Sequence, residues 1–372
     1  MPKKVLFTAS IAKHILRFHL PYLKWFQEQG YETHVACNGE EEIPYTDVKH
    51  TIPFIRSPFR LGHLKTYDKL KEVIEKEDFT LIHCHTPMAS VITRLASKKA
   101  RLNGTKVVYT AHGFHFFKGS PILNWLTYYP IEMILASKAD GIITINEEDY
   151  QVIKHKESKQ LQVFKIPGVG VNQKRFFPIT AEEKSEIRKK NGFKDHDFIL
   201  IYAAEFIHRK NHDFIIESTR NLKKIVPNLK ILFAGRGELL EICNEKVNRL
   251  DLTENIKFLG FRNDIDEVFK MSDIGISSSK QEGLGLNLIE EMMCGLPIVA
   301  SVDRGHKEIV IDEVNGFLFE QNNQDQFINY VYKLYSDKTF YEKCSLNAIE
   351  TSKKFELSNA LSEMIKIYNK FL

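Results

Sequence analysis

The chain has 372 residues with 43% hydrophobic and 27% charged residues and no compositional bias, more than one core usually accommodates, so two domains are expected. The formal net charge of +4 is uneven: residues 1–175 hold 25 Lys and Arg against 17 Asp and Glu, the remainder 27 against 31, and ten of the fourteen histidines lie in the first part. A basic first half suits an acidic or phosphate-bearing partner such as a membrane surface, and no nucleic-acid-binding motif is present. Five scattered cysteines, Cys37, Cys84, Cys243, Cys294 and Cys344, have no paired ligand spacing and read as buried thiols, neither a disulfide framework nor a zinc site. The first residues reach Lys13 before any signal-length apolar run, and no later run is long enough to cross a bilayer, so a cytoplasmic protein is expected.

Short apolar or β-branched runs alternate with amphipathic helical patterns. Lys4–Thr8, Glu32–Ala36, Leu81–Cys84, Val107–Thr110 and Gly141–Ile145 read as strands of one parallel sheet. Phe198–Ala203, Lys230–Ala234, Ile256–Leu259, Ile274–Ser277 and Ile298–Ala300 read as strands of another. This is the rhythm of two doubly wound Rossmann-like domains, which bind ligands at the carboxyl ends of their strands. The turn-rich segment Pro167–Asn172 marks the break, giving a first domain over residues 1–172 and a second over 173–354.

Five stretches carry chemistry. Thr8–His14 is a strand–loop–helix turn in which Lys13 and His14 either meet an acceptor phosphate or form a solvated basic loop. Thr110–Pro121 contains His112, Gly113 and His115, with His112 the stronger candidate and His115 the weaker. Ala203–Asn211 ends on Arg209 and Lys210, either a cation pair for a leaving group or an exposed pair at a helix start. Gly235, Gly237 and Phe261 sit in two strand-end turns that could shape a nucleotide pocket. Acidic residues over Asp251–Asp266 are too dispersed to suggest a metal.

The fifth stretch, Glu282-Gly-Leu-Gly-Leu-Asn-Leu-Ile-Glu290, is a glycine turn feeding a helix whose apolar face is Leu288, Ile289, Met292 and Met293 and whose stop is Gly295. Gly283 and Gly285 let backbone amides approach an anion at a helix N-terminus, and the flanking glutamates suit sugar hydroxyls. The same residues also read as a plain cap, with Asn287 at N-cap and Glu290 at N3.

Two glutamates seven residues apart within the wording EGLGLNLIEEMMCGLP resemble the signature of retaining GT-B glycosyltransferases of family 4. The resemblance implies two Rossmann-like domains facing a cleft and a nucleotide-sugar donor, with a UDP-sugar expected. It places Glu282 against the donor sugar, Glu290 on the ribose, and the amides of Gly283, Leu284, Gly285 and Leu286 on the diphosphate. His112 would touch the sugar near the reaction centre, and Arg209 with Lys210 would stabilise the departing diphosphate. The chain departs from the family twice: the first loop lacks a Gly-Gly pair, and Glu205 stands where an Arg is common. The family generally needs no metal, so neither cofactor nor metal is expected. A terminal helix, Leu357–Leu372, with Leu361, Ile365 and Tyr368 on one stripe, would return to the first domain.

Thr110–Glu132 further resembles enzymes of capsule and exopolysaccharide assembly, which extend saccharides on undecaprenyl diphosphate at the cytoplasmic membrane face. The first domain would then hold a lipid-linked acceptor. The aromatics Phe114, Phe116, Phe117, Trp125, Tyr128 and Tyr129 near Lys118 fit either peripheral docking on the inner membrane or core packing. A GT-B nucleotide-sugar epimerase and a non-catalytic nucleotide-sugar or lipid-carrier binding protein are the alternative functions.

Overall fold

The computed structural model describes residues 2–372 except 56, 58, 59 and 61. Two compact units result: one spans the chain to Gly170 and resumes over Ser358–Leu372, the other is Val171–Leu357.

In the first unit the strands are β1 (Lys4–Ile11), β2 (Glu32–Asn38), β3 (Val48–Thr51), β4 (Leu81–His85), β5 (Lys106–Ala111), β6 (Gly141–Thr144) and β7 (Gln162–Lys165). They form a parallel sheet in the order β3-β2-β1-β4-β5-β6-β7. Val5, Leu6 and Phe7 of β1 and Leu81, Ile82 and Cys84 of β4 are wholly buried, because helices cover both faces of a parallel sheet. Each such apolar side chain taken from water contributes about 1.5–3 kcal/mol. The order reverses between β1 and β4, and the carboxyl ends of these two strands form the topological switch point where such folds place ligands.

The second unit repeats the plan with β8 (Phe198–Ala203), β9 (Leu229–Ala234), β10 (Ile256–Gly260), β11 (Ile274–Ser277), β12 (Ile298–Ser301) and β13 (Gly316–Phe319). The parallel order is β10-β9-β8-β11-β12-β13, so its switch point lies between β8 and β11.

Every strand expected from the sequence is present, and β3, β7 and β13 are additional. All three are four-residue strands at sheet edges or next to an end, and β3 has no buried residue, so no apolar run announces it. The terminal helix Leu357–Tyr368 buries Ala360, Met364, Ile367 and Tyr368, so Tyr368 belongs to the buried stripe while Leu361 and Ile365 are only partly covered. Tyr368 is its anchor: the hydroxyl meets Nδ1 of buried His83 at 2.8 Å, and the ring stacks on Trp25 at 5.8 Å.

Helix Ile122–Ala136 is pinned from one side. Arg94, wholly buried in helix Pro87–Ala96, forks onto Glu132 with Nη1–Oε1 at 2.6 Å and Nη2–Oε2 at 3.1 Å. A bidentate pair of this kind survives burial because both oxygens are satisfied. The other side of the helix exposes Leu123, Leu126, Ile131 and Ile134, at 65%, 69%, 49% and 67%. The nearby aromatics go the other way: Phe114 and Phe116 are core residues, with Trp125, Tyr128 and Tyr129 packed against them. Core packing therefore accounts for these five, and the outward apolar surface is aliphatic. All five cysteines are free and buried, as expected.

Candidate active site

The cations of the second unit follow β8. Arg209 and Lys210 occupy the 3-10 turn His208–Lys210, which ends at Asn211 with a left-handed φ of 53°. Three donors clamp its carbonyls: Tyr202 Oη to Lys210 O at 2.7 Å, Ser278 Oγ to Asn211 O at 2.8 Å, and the Lys280 N–H to Arg209 O at 2.8 Å. Tyr202 is in β8 and Ser278 and Lys280 follow β11, so the turn is tied across the switch point before its side chains do anything.

Those side chains converge on Glu282. Arg209 Nη1 lies 3.1 Å from Glu282 Oε2 and donates to the Gln281 carbonyl at 2.7 Å, while Lys210 Nζ bonds Glu282 Oε1. Burial alone would raise the Glu282 carboxyl, but Lys210 and then Arg209 outweigh it and hold the pKa at about 2. The carboxylate is charged at any physiological pH. Only 12% of the Lys210 side chain is exposed, and the Arg209 side chain, 40% exposed, is held on Glu282, so the pair is not a free decoration of a helix start.

Behind Glu282 the turn runs into helix Leu286–Met293, with Gly285 at the N-cap, φ 93°, and no capping side chain. Asn287 lies inside the helix and donates to Glu291 Oε1 at 3.4 Å, so the capping-box reading does not hold. The uncapped first turn keeps amide donors that an anion could accept. Gly283 and Leu286 lie half-covered on this stretch, as does Glu290, while Leu284 is buried. Gly305 supports the turn from below: a Cβ there would fall 2.8 Å from Leu284 N and 2.9 Å from Glu282 Cβ.

Gly235 and Gly237 have a nearer task than ligand contact. A Cβ on either would meet Ala204 O at 1.9 Å or Phe206 O at 2.4 Å, so both glycines let the β9 exit lie against the segment leading to Arg209. Phe261 is 59% exposed beyond β10, with the Arg236 guanidinium 5.1 Å from its ring centre, a flat surface open to a base.

In the first unit, His14 and His112 come together and Lys13 and His115 stay apart from them. His14 lies on helix Ala12–Phe18 after β1 and His112 directly after β5, with ring centres 4.8 Å apart. Burial depresses the His112 imidazole to about 4, so it is neutral at pH 7. Its loop is held by Asp149, whose Oδ2 accepts from the Phe114 N–H at 3.0 Å. His115 is exposed beside Tyr128, and Lys13 is exposed.

Residues 4–146 match the family described as Glycosyl transferase 4-like, and residues 183–351 match Glycosyl transferases group 1. A putative glycosyltransferase of Bacillus subtilis (strain 168), EpsD, is 41% identical over 372 residues, covering 100% of this chain and 98% of that one. The chain belongs to this glycosyltransferase family. An Escherichia coli galactosyltransferase, named for UDP-Gal and α-D-GlcNAc-diphosphoundecaprenol, is 29% identical over 281 residues, 74% of this chain and 71% of that one. The crystal structure of Anabaena HepE with UDP and glucose has a TM-score of 0.80 at 19% identity, covering 99% of this chain and 100% of that one. At that identity the likeness speaks of the fold, and the two parallel α/β units of this glycosyltransferase are those of GT-B.

Several residues of the glycosyltransferase that shape these sites escaped sequence reasoning. Arg304 Nε donates to the Glu282 carbonyl at 3.3 Å, and buried His306 is fixed by Ser301 O at 2.7 Å. The Asp303-Arg-Gly-His306 run after β12 is the signal that could have exposed this supporting loop. Thr86, at the end of β4, takes φ 63° and bonds Ser10 Oγ at 2.8 Å across the first switch point. A β-branched residue in that region is strained, and such strain gathers at ligand sites. His19 and His85 were also missed; both are buried and stack 3.7 Å apart between ring centres.

Proposed function

We propose that this enzyme transfers a sugar with retention of configuration from a UDP-sugar to a saccharide carried on a lipid diphosphate. The observation that carries the reading is the Arg209–Lys210–Glu282 cluster at the mouth of the uncapped helix Leu286–Met293. Breaking a sugar–phosphate bond builds charge on the diphosphate, and two fixed cations stabilise it without reorganisation. They supply this role without a metal. Glu282, ionised and held between them, accepts from donor sugar hydroxyls; Glu290 accepts from the ribose; the amides of Gly283–Leu286 receive the diphosphate, and Phe261 with Gly235 and Gly237 borders the base. Neutral His112 hydrogen-bonds the sugar and His14 beside it serves the acceptor phosphate, while Lys13 and His115, exposed and apart from them, have no part in that contact. The lipid-linked acceptor is supported by the name of the E. coli relative.

A lipid-linked acceptor requires access to a bilayer. No described helix is long and apolar enough to cross one. The outward face of helix Ile122–Ala136, between Lys118 and Lys138, fits a peripheral contact with the anionic cytoplasmic leaflet. Leu126→Glu should reduce co-sedimentation with phosphatidylglycerol vesicles while leaving turnover of a water-soluble acceptor analogue unchanged.

The deciding experiment measures binding of UDP-, GDP- and ADP-sugars, then turnover with lipid-diphosphate saccharides, with the anomeric configuration of the product read by NMR. UDP-sugar binding with retained configuration is expected. UDP release without an acceptor would instead indicate an epimerase, and donor binding without turnover a non-catalytic binding protein.

A further inference from the structure

Four histidines meet at the first unit's switch point. His14 comes from the helix after β1, His19 from the junction of helices Ala12–Phe18 and Leu20–Glu28, His85 from the end of β4 and His112 from the end of β5. Each offers a ring nitrogen, and these four atoms all lie within 4.8 Å of one another. Sequence separation hid the cluster, since its members come together only because β1, β4 and β5 are neighbours in the sheet.

Their hydrogen bonding is anomalous. His19 and His85 are 1% and 0% exposed, yet neither ring nitrogen of either one has a partner, and His112 Nε2 is likewise buried and unpartnered. Buried polar nitrogens normally find one. Nearby His83 shows the ordinary solution, with Tyr368 Oη on one nitrogen and Thr110 Oγ1 on the other, each at 2.8 Å. The unpartnered nitrogens of buried His19, His85 and His112, within 4.8 Å of one another and of a His14 ring nitrogen, make a donor set for a metal ion, each ring giving one lone pair.

We propose that His14, His19, His85 and His112 form a site for a borderline-soft divalent cation, with Zn2+ as the reference ion. The chemistry is selective. Four nitrogen donors with no carboxylate suit Zn2+ or Co2+ and are poor for Mg2+ and Ca2+, which take oxygen. Burial also keeps the rings of His19, His85 and His112 neutral, the form that ligates. Zn–N bonds of about 2.0–2.1 Å in a tetrahedron bring donors to about 3.4 Å apart, so nitrogens within 4.8 Å close by up to about 1.4 Å and the stacked His19 and His85 rings turn out of parallel. His14 and His112, half-covered and next to loops, are placed to move. The site goes beyond the transfer reading: each imidazole has two nitrogens, so His14 and His112 give one to the ion and keep the other for the acceptor and the sugar, and leaving-group charge is already met in the second unit.

The test uses the full chain, stripped with chelator and titrated with Co2+ and then Zn2+. The expected result is one ion per chain, a tetrahedral Co2+ absorption band that Zn2+ abolishes, and no such change with Mg2+. His85→Gln and His19→Gln should weaken Zn2+ binding, measured by competition with a chromogenic chelator, by more than the ~10–100-fold that a lost outer-shell partner costs. His155→Gln, at an exposed histidine elsewhere in this unit, should bind as the parent does. Should the buried variants misfold by circular dichroism, His14→Ala at the half-covered position supplies the same measurement. A featureless Co2+ spectrum, or Zn2+ binding unchanged in a folded variant, overturns the proposal and leaves water-filled or mutually packed neutral rings. Binding and spectrum are read without transfer activity, so failure here and failure of the proposed reaction are separate results.

Discussion

The two switch points of this molecule have the same topology and opposite electrostatics. Between β8 and β11 the chain assembles two cations and a carboxylate, each charge answered by its neighbour. Between β1 and β4 it assembles neutral imidazoles, with buried His19 and His85 lacking any hydrogen-bond partner. A doubly wound sheet supplies the position of a site, and the loops at that position decide its chemistry. The second unit can afford burying ions because Lys210 and Arg209 reach Glu282 directly.

The sharpest way to break this comparison is to remove the cation. Lys210→Ala should lower kcat by at least about 10²-fold at saturating donor, the scale for losing one donor at developing charge. Glu282 would also lose its principal counter-charge, so its pKa should rise from about 2, observable by carboxyl-edited NMR titration. Wild-type kcat in a folded Lys210→Ala chain would show that the cluster is a structural ion pair.

A smaller effect is expected at Glu290. If it binds the ribose in ground and transition states alike, Glu290→Gln should raise the donor KM roughly tenfold with kcat nearly unchanged, in keeping with one charged hydrogen bond. A kcat loss with constant KM would move Glu290 into the chemistry.

The smallest effect separates two neighbouring carboxyls. Glu291 is wholly buried with Oε2 unpartnered, and burial raises its pKa well above the usual carboxyl value of 4.5, opposite to Glu282. The unfolded chain releases this proton above pH 4.5 while the folded chain retains it, so stability falls as pH rises from there toward the folded pKa. Glu291→Gln, uncharged at all pH, should match the parent near pH 4.5 and exceed it in Tm by a margin that widens towards pH 8. A margin independent of pH would mean that Glu291 is already ionised in the fold.

Legibility in the sequence followed burial. Strands such as β8 and β11 are short apolar runs because both faces are covered, and their expected limits coincide with those observed. β3 reads Val-Lys-His-Thr and has no buried residue, so nothing in its pattern marks it. The Glu282 turn was legible because one continuous segment carries its glycine, carboxylate and helix. The capping box read as the alternative for that segment was out of register: the N-cap is Gly285, two residues before the supposed cap at Asn287. Of the histidine cluster, His14 and His112 were legible in the loops after their strands, whereas His19 and His85 were not, since they become neighbours only through sheet order. The apolar side of helix Ile122–Ala136 was hidden differently, because the helix is apolar nearly all round and periodicity cannot tell its covered side from its bare one.

The return of Tyr368 to His83 also sets a timetable for birth on the ribosome. Everything from Val171 to Leu357 must be translated before the residue that covers His83 and Trp25 exists. At ~5–20 residues per second this interval is on the order of tens of seconds. Throughout it the amino-terminal unit waits with an open seam that a chaperone or a protease can reach, while the second unit needs only the residues made in that interval. The part synthesised first is thus the part completed last.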